Sequence, residues 1–280
     1  MDPKTVVITG ATSGIGEVAA SALAQQGARI VFIARDRGRG EQMLQRLQAL
    51  APGANHVAHY ANLSRLTEMK RVAELIAAHE PRIDLLINNA GAVFTDRQVT
   101  GEALEMTFAT NHISYFVVTN LLLPRLKATH GARIVSTSSD AHKRARLDFQ
   151  DLQMKEGYSA FGMYGRTKLM NILFTRELAR RLTGSGVTAN CLHPGFVNTR
   201  FAAESGGLTS FVVKTAKRFA LSPEEGAKTI IYLASSPEVE GVSGQYFYQC
   251  KPATVTEEAQ NDAHARKLWE ISTQLTGVGA

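Results

Sequence analysis

The chain has 280 residues, enough for one large domain or two small ones with a sizeable buried core. Hydrophobic residues make up 44% of it and charged residues 20%, which excludes a disordered chain and a coiled coil. The formal net charge is +6, with short basic clusters at residues 35–39 and 143–146. Neither cluster resembles the long basic block of a nucleic-acid-binding tail, so no nucleic-acid partner is expected.

Cysteine usage and apolar run length bear on where the protein works. The two cysteines, Cys191 and Cys250, form neither a CxxC pair nor a cluster with histidine at zinc spacing. We therefore expect no disulfide scaffold and no metal site, and we expect a reduced, cytoplasmic environment. No uncharged apolar run approaches the roughly 20 residues of a membrane helix, and residues 1–4 leave no room for a signal peptide. Neither a membrane span nor secretion is expected.

In chain order, short β-branched runs alternate with longer stretches of helical period, the pattern of parallel strands joined by crossover helices. Strands are predicted at residues 5–9, 29–34, 56–61, 85–88, 133–138, 188–193 and 245–248. Helices are predicted at residues 15–26, 40–50, 66–79, 102–123, 164–182 and 224–234. The strands are apolar without strict alternation, as expected when helices pack on both faces. The sequence therefore predicts an α/β fold with a doubly wound open sheet.

No linker, repeat or low-complexity tract divides the chain, so residues 1–280 are interpreted as a single domain. Two segments depart from the alternation. Residues 201–220 follow the sixth strand and are interpreted as a lid over a ligand at the carboxyl ends of the strands. Residues 256–275 form a polar helix candidate beyond the last strand, interpreted as a C-terminal surface helix.

The first strand leads into a glycine-rich turn and then an amphipathic helix. The turn carries Gly10, Gly14 and Gly16 in a G-x3-G-x-G spacing, which lets the backbone approach a pyrophosphate. Thr12 or Ser13 is expected to cap the helix whose N-terminal amides face that anion. This strand-turn-helix context predicts a dinucleotide site.

The end of the second strand distinguishes the two nicotinamide dinucleotides. Ala34 stands where an acid would serve NAD, and Arg35 follows with a guanidinium suited to a 2′-phosphate. Asp36 is expected either to pair with Arg37 or to bond a ribose hydroxyl. The pattern favours NADP(H), with NAD(H) as the alternative.

Polar residues recur where later strands end. Asn89, Ala90 and Gly91 close the fourth strand, and Asn111 lies inside a predicted helix, where this poor helix former indicates a specific task such as holding a water. Tyr164 and Lys168 lie four apart and share a helix face. A neighbouring cation would lower the pKa of the phenol and suit it to acid–base chemistry.

Together with the strand-end serine pair and His193-Pro194-Gly195, these motifs occur in the order and spacing of the short-chain dehydrogenases/reductases. The sequence resembles this family over nearly its whole length. The segments around residues 138–142, 168–179, 244–247 and 267–270 resemble its retinol dehydrogenase branch. The resemblance implies a Rossmann fold with a seven-stranded parallel sheet.

The resemblance also implies roles for individual residues. Tyr164 would be the general acid in carbonyl reduction, Lys168 would bind the nicotinamide ribose and lower the phenol's pKa, and Ser139, rather than Ser138, would orient the carbonyl oxygen. Asn111 would hold a proton-relay water. Asn62 stands where the family usually has aspartate and would bond the adenine amino group through its amide oxygen. The remaining cofactor contacts implied are Gly10, Ser13, Ile15, Asn89, Ala90, Gly91, Pro194, Gly195, Val197 and Thr199.

The sequence thus predicts an NADP(H)-dependent oxidoreductase for an apolar aldehyde, ketone or alcohol, retinal-like, lipid, steroid or aromatic. The alternatives are an NADP-binding sensor without useful catalysis and a reductase of an activated carbon–carbon double bond. A homodimer or homotetramer is expected through the helices at residues 102–123 and 164–182. His142 is interpreted as a loop residue near the pocket mouth, and Cys191 and His193 as packing residues rather than metal ligands.

Overall fold

The computed structural model describes residues 4–197 and 221–279. Its sheet has eight strands in the order β3-β2-β1-β4-β5-β6-β7-β8. The strands are β1 Thr5–Thr9, β2 Arg29–Ala34, β3 Val57–Tyr60, β4 Leu85–Asn88, β5 Arg133–Thr137, β6 Thr188–His193, β7 Tyr246–Tyr248 and β8 Lys251–Pro252. Strands β1 to β7 pair in parallel, which confirms the doubly wound α/β prediction.

The eighth strand corrects the expected count of seven. Gln249 and Cys250 form a two-residue turn with φ of 48° and 60°, so the chain reverses and β8 pairs antiparallel with β7. Neither residue is a glycine or asparagine, the usual residues at such positions, so the sequence carries no signal for this turn. The result is a short antiparallel edge on an otherwise parallel sheet.

Helices cover both faces of the sheet. They are α1 Gly14–Gln25, α2 Arg37–Leu50, α3 Leu66–His79, α4 Ser114–Lys127, α5 Ala160–Arg181, α6 Pro223–Ser235 and α7 Asp262–Thr276. Successive strand residues point to opposite faces, so Val6 and Ile8 pack with α1, α2 and α6, whereas Val7 packs with α3, α4 and α5. These two apolar layers form the core.

Two helix predictions need correction. The helix predicted at residues 102–123 is a short turn at Met106–Phe108, a π-helical segment at Ala109–Ile113 and then α4. The C-terminal helix begins at Asp262 and is more than a surface helix, because Trp269 and Leu268 lie in the core layer beside α5. Its indole ring lies 4.9 Å from the Phe116 ring and 5.8 Å from the Phe174 ring, centroid to centroid. The interpretation of residues 201–220 as a lid falls outside the described residues.

Candidate active site

The glycine turn between β1 and α1 is closed so tightly that it excludes side chains. Gly10 and Gly14 have φ of 70° and 58°. A Cβ at Gly16 would lie 2.2 Å from the Gly10 carbonyl oxygen and 2.4 Å from Asn89 Nδ2. Ser13 is the N-cap residue of α1, but its hydroxyl accepts no hydrogen bond from a backbone N–H of the described helix. Ser13 therefore does not make the expected capping bond. This turn without side chains and the N-terminal amides of α1 fit a dinucleotide pyrophosphate.

Asn89 ties this turn to two neighbouring strands. Its backbone N–H donates to Thr9 Oγ1 at 2.9 Å, and Nδ2 donates to the Gly10 carbonyl at 3.2 Å. Thr137, at the end of β5, donates to Asn89 Oδ1 at 3.2 Å. Thr9 and Thr137 were missed by sequence reasoning, although a hydroxyl at the last position of each of the two strands that flank β4 is a usable signal.

The β2 end resolves the role of Asp36. Its carboxylate accepts from the Arg39 N–H at 2.8 Å and so caps α2, which corrects the expected pairing with Arg37. Arg37 instead stacks its guanidinium 4.7 Å above the Tyr60 ring centroid. Arg35 is exposed at the same sheet edge. The cap uses Oδ1 of this exposed carboxylate.

Asn62 is engaged in a local turn after β3. Its Oδ1 accepts from the N–H and the hydroxyl of Ser64 at 3.1 and 2.9 Å, and its own N–H donates to Glu68 at 2.7 Å. The amide oxygen expected to bond the adenine amino group is therefore already used. Nδ2 remains, as a donor suited to an adenine ring nitrogen.

The two serines after β5 have different partners. Ser138 is buried and donates to the Lys168 carbonyl at 2.7 Å, a structural bond between β5 and α5. Ser139 accepts from the Ala141 N–H at 3.2 Å, and its hydroxyl hydrogen-bonds the Tyr164 phenol. Of the pair, Ser139 is the one placed to share a substrate oxygen with Tyr164.

Tyr164 and Lys168 lie one turn apart on α5. The Lys168 ammonium nitrogen is 5.4 Å from the Tyr164 ring centroid and donates to the Thr137 carbonyl at 3.1 Å. Burial raises the pKa of Tyr164 to about 12, opposed by the Ser139 hydrogen bond, and burial lowers the pKa of Lys168 to about 7. The expected lowering of the phenol's pKa is thus not found here, because desolvation of the phenol outweighs the effect of the Ser139 hydrogen bond.

Asn111 lies within the π-helical segment and is fully buried. Its Oδ1 accepts from the Ala92 N–H at 2.8 Å, while Nδ2 donates to the Ala92 carbonyl at 2.9 Å and to Thr167 Oγ1 at 3.2 Å. Both Nδ2 hydrogens are used, whereas Oδ1 accepts one hydrogen bond and keeps a second lone pair with which it could accept from the expected relay water.

The turn after β6 carries the last predicted contacts. Gly195 has φ of 89°, and a Cβ there would lie 2.4 Å from Leu221 Cδ1. Gly226, in α6, brings Val197 and Ile15 together, since its Cβ would lie 2.5 and 2.8 Å from their Cγ2 atoms. Thr199 lies outside the described residues.

The structure brings these residues to the carboxyl edge of the sheet, after β1, β2, β3, β4, β5 and β6 and on α5. His142 is not at a pocket mouth but fully buried, with Nδ1 donating to the Ser139 carbonyl at 2.7 Å. Tyr115 was also missed. It is fully buried, 5.9 Å from the Lys168 ammonium by its ring centroid, and its hydroxyl hydrogen-bonds no described residue.

Comparison with known proteins decides the family. A family model described as short chain dehydrogenase matches residues 4–207. The chain belongs to the short-chain dehydrogenase family. It is 42% identical to human retinol dehydrogenase 14, over 99% of this chain and 88% of that protein. This dehydrogenase is therefore an oxidoreductase acting on CH–OH or C=O groups, of the retinol dehydrogenase-like branch.

Solved structures agree with the fold. An uncharacterised protein from Mycobacterium Paratuberculosis is 32% identical to the dehydrogenase, with a TM-score of 0.79 over 98% of this chain and 94% of that one. The Pseudomonas aeruginosa RhlG/NADP active-site complex is 26% identical, with a TM-score of 0.70 over 87% and 93%. Within residues 4–197 and 221–279, no helix of the dehydrogenase is long and apolar enough to cross a bilayer.

Proposed function

We propose that the chain reduces an apolar aldehyde or ketone with NADPH, or runs the reverse oxidation of the alcohol. The observation that carries this is the hydrogen bond between the Ser139 hydroxyl and the Tyr164 phenol, with Lys168 one turn along α5. When bound, the nicotinamide supplies or takes up the hydride. The chain's own residues bind and orient the reactants and move the proton.

The chemistry assigned to each residue follows from its environment. A Tyr164 pKa of about 12 keeps the phenol protonated at neutral pH, so its O–H can donate to the carbonyl oxygen of a substrate. Ser139, as a neutral donor, would stabilise the negative charge that develops on that same oxygen. Lys168 would bind the nicotinamide ribose. Polar groups of the bound cofactor would solvate its ammonium, and the positive charge would then stabilise the Tyr164 phenolate that remains after the proton has been donated.

An apolar substrate is supported by two exposed aromatic side chains at the site. Phe161 is 72% exposed one turn before Tyr164, and Phe196 is 62% exposed directly after Gly195. The 42% sequence identity to human retinol dehydrogenase 14 also supports an apolar substrate. We propose that these rings contact a retinal-like, lipid, steroid or aromatic substrate.

A panel of retinal, medium-chain aldehydes, aromatic ketones and steroids, assayed with NADPH, tests this function. We expect turnover of at least one compound, and a loss of about 100-fold or more in kcat for Tyr164→Phe and Ser139→Ala. Tyr232→Phe, which alters a partly buried tyrosine bonded to Glu238, is the matched control and should keep full activity.

Other results would favour other functions. NADPH binding without turnover of any compound would support a sensor, and saturation of a carbon–carbon double bond, detected by product analysis, would support an enone or tetrapyrrole reductase. Turnover that survives Tyr164→Phe would contradict the assigned acid.

We propose a preference for NADP because Arg35 directly follows β2, while the next residue, Asp36, caps α2. The related RhlG structure is, in addition, a complex with NADP. The remaining cofactor contacts proposed are Gly10, Ser13, Gly14, Ile15, Gly16, Asn62, Asn89, Ala90, Gly91, Tyr164, Lys168, Pro194, Gly195, Val197 and Thr199.

Titration calorimetry with NADPH and NADH tests the preference. Arg35→Ala should weaken NADPH binding about tenfold or more and leave NADH binding unchanged, because only NADPH carries the 2′-phosphate. The control is Arg46→Ala, at an arginine of α2 that pairs with Glu17, and it should change the affinity for neither dinucleotide. Equal weakening of both dinucleotides, or no effect, would make the assignment wrong.

The single domain at residues 1–280, the cytoplasmic location, the use of NAD(H) and the homodimer or homotetramer remain predictions. The first rests on the continuous sheet and the second on two cysteines that are both free thiols.

A further inference from the structure

His193, the last residue of β6, has two backbone partners from different parts of the site. Its side chain is 10% exposed, and its Nδ1 accepts from the Asp140 N–H at 3.4 Å and from the Gly195 N–H at 3.3 Å. Asp140 directly follows Ser139, and Gly195 lies in the Pro194–Gly195 turn. One ring nitrogen therefore joins the turn of the catalytic serine to the turn proposed to contact the nicotinamide.

Both donors are backbone amides, so Nδ1 must carry a lone pair and the ring proton of the neutral imidazole must sit on Nε2. Nε2 lies 3.8 Å from Asp140 Oδ2, within reach of an electrostatic contact. The ring is stacked on Tyr248, with centroids 5.0 Å apart and planes 24° apart, which fixes its orientation. The ring can thus be neither turned over nor protonated at Nδ1 without losing both amide bonds.

We propose that neutral His193 is a positioning residue for catalysis, which holds the Ser139 turn and the Pro194–Gly195 turn in register, and that its protonation at Nδ1 releases both turns. The proposal rests on the proposed function, because Ser139 must meet the same substrate oxygen as Tyr164 for this register to matter. It also gives the His193 side chain a task other than packing.

The surroundings of the ring keep it neutral at physiological pH. Asp140 and Lys143 face it from the segment after β5, together with His142, and Tyr246 and Tyr248 face it from β7. Tyr246 donates its hydroxyl to Asp140 Oδ1 at 3.2 Å.

Burial lowers the pKa of His193 below its ordinary 6.5, Lys143 and His142 act in the same direction, and Asp140 opposes them. Neutral His193 should therefore hold both turns at any pH above its lowered pKa. It should release them as the pH falls through that pKa.

Two substitutions separate the acceptor from the ring. In His193→Asn the amide oxygen occupies the place of Nδ1 and can accept both amides, but it cannot be protonated in this range. In His193→Leu the volume is kept and the acceptor is lost, leaving two backbone N–H groups unsatisfied. His130→Asn, at an exposed histidine, is the matched control.

We expect His193→Leu to lose about tenfold or more in kcat, with a much smaller change in substrate KM, since misplacement of a catalytic group acts on the chemical step. His193→Asn should keep kcat within about threefold at pH 7.5 and lose the acid limb of the wild-type kcat profile. An equal loss in both variants, or an acid limb that survives in His193→Asn, would overturn the proposal.

A measurement without turnover keeps the test independent of the proposed function. Nitrogen-15 NMR of the imidazoles, assigned by the signal missing in His193→Asn, should show the Nε2–H tautomer above pH 7. The amide signals of Asp140 and Gly195 should move with the protonation of His193 in the wild type and stay fixed in His193→Asn. An Nδ1–H tautomer would contradict the inference, whereas wild-type protein that turns over no substrate would contradict the proposed function alone.

Discussion

Burial of the Lys168 side chain lowers the stability of the fold at a residue that is proposed to act in catalysis. The side chain is 3% exposed, and its pKa falls to about 7 because the ammonium is desolvated. The Thr137 carbonyl that it bonds has a second donor, Asn171 Nδ2, at 3.2 Å. No carboxylate among residues 4–197 and 221–279 forms an ion pair with Lys168, and a buried cation without such a partner costs folding free energy. Such a cost is expected at functional positions.

Lys168→Met should therefore stabilise the protein while removing its activity. Replacing the amine by an apolar side chain of similar volume should raise the free energy of unfolding by on the order of 1 kcal/mol or more at pH 7. Activity should fall about 100-fold or more. Denaturation followed by circular dichroism, with initial rates beside it, would check both.

The stability gain expected for Lys168→Met should decrease as the pH rises. The folded-state pKa of Lys168 is about 7 against an ordinary value of 10.5, so between these values the unfolded chain binds a proton that the folded chain does not. Wild-type stability should then rise with pH across that window, and the advantage of the methionine variant should shrink. A gain that is constant with pH would contradict the burial argument.

At the scale of the element, the best predicted pieces are those whose signals are local. The bounds of β1, β2, β4, β6 and α3 agree with those predicted from apolar runs and helical spacing. The π-helical segment was missed because it continues the apolar pattern of a helix while the Ser114 N–H donates to the Ala109 carbonyl five residues back. Such a widened turn has no residue signature of its own.

The junction of the glycine turn and α1 yields a paired prediction. In Gly16→Ala the new Cβ would meet the Gly10 carbonyl, which is backbone and cannot move aside. We expect a loss of about 2 kcal/mol in stability and a loss of dinucleotide affinity, measured by thermal denaturation and calorimetry.

Gly38→Ala, in the first turn of α2, serves as the control. Its Cβ would lie 3.5 Å from Asp36 Oδ1, an ordinary contact, so the variant should be neutral or slightly more stable. Equal effects of the two substitutions would show that the turn is less closely packed than its geometry indicates.

Across the whole molecule, α7 links the C-terminus to the segment that carries Asn111. Its Ser272 hydroxyl lies 3.0 Å from His112 Nε2, and both residues are fully buried. The Arg181 guanidinium, from α5, stacks 4.4 Å above the Trp269 ring of this helix. Removal of α7 would thus uncover the core beside the site.

This contact predicts how stability depends on acid. Burial lowers the pKa of His112 from 6.5 to about 4, so between these values the unfolded chain takes up a proton that the folded chain excludes. The His112 contribution to stability should be constant above about pH 6.5 and should lower the free energy of unfolding by about 3 kcal/mol as the pH drops to 4.

His112→Gln, which keeps a polar atom near Ser272, isolates the His112 contribution from those of the other histidines. Its urea midpoint should depend less steeply on pH between 6.5 and 4 than the wild-type midpoint does. Parallel wild-type and variant curves would contradict the assignment.

The amino-acid sequence was enough to predict a doubly wound parallel sheet, the positions of the motifs at the strand ends and the family, whereas the order of the strands in the sheet came from the structure. Apolar runs, turn glycines and motif spacing are local properties, so they survive without a structure. Only the tertiary structure decided that Asp36 caps α2, that burial sets the protonation of Tyr164 and Lys168, and that His193 joins two turns. These features depend on which residues come into contact in the folded chain and on how much water they exclude. A local sequence pattern does not specify either property.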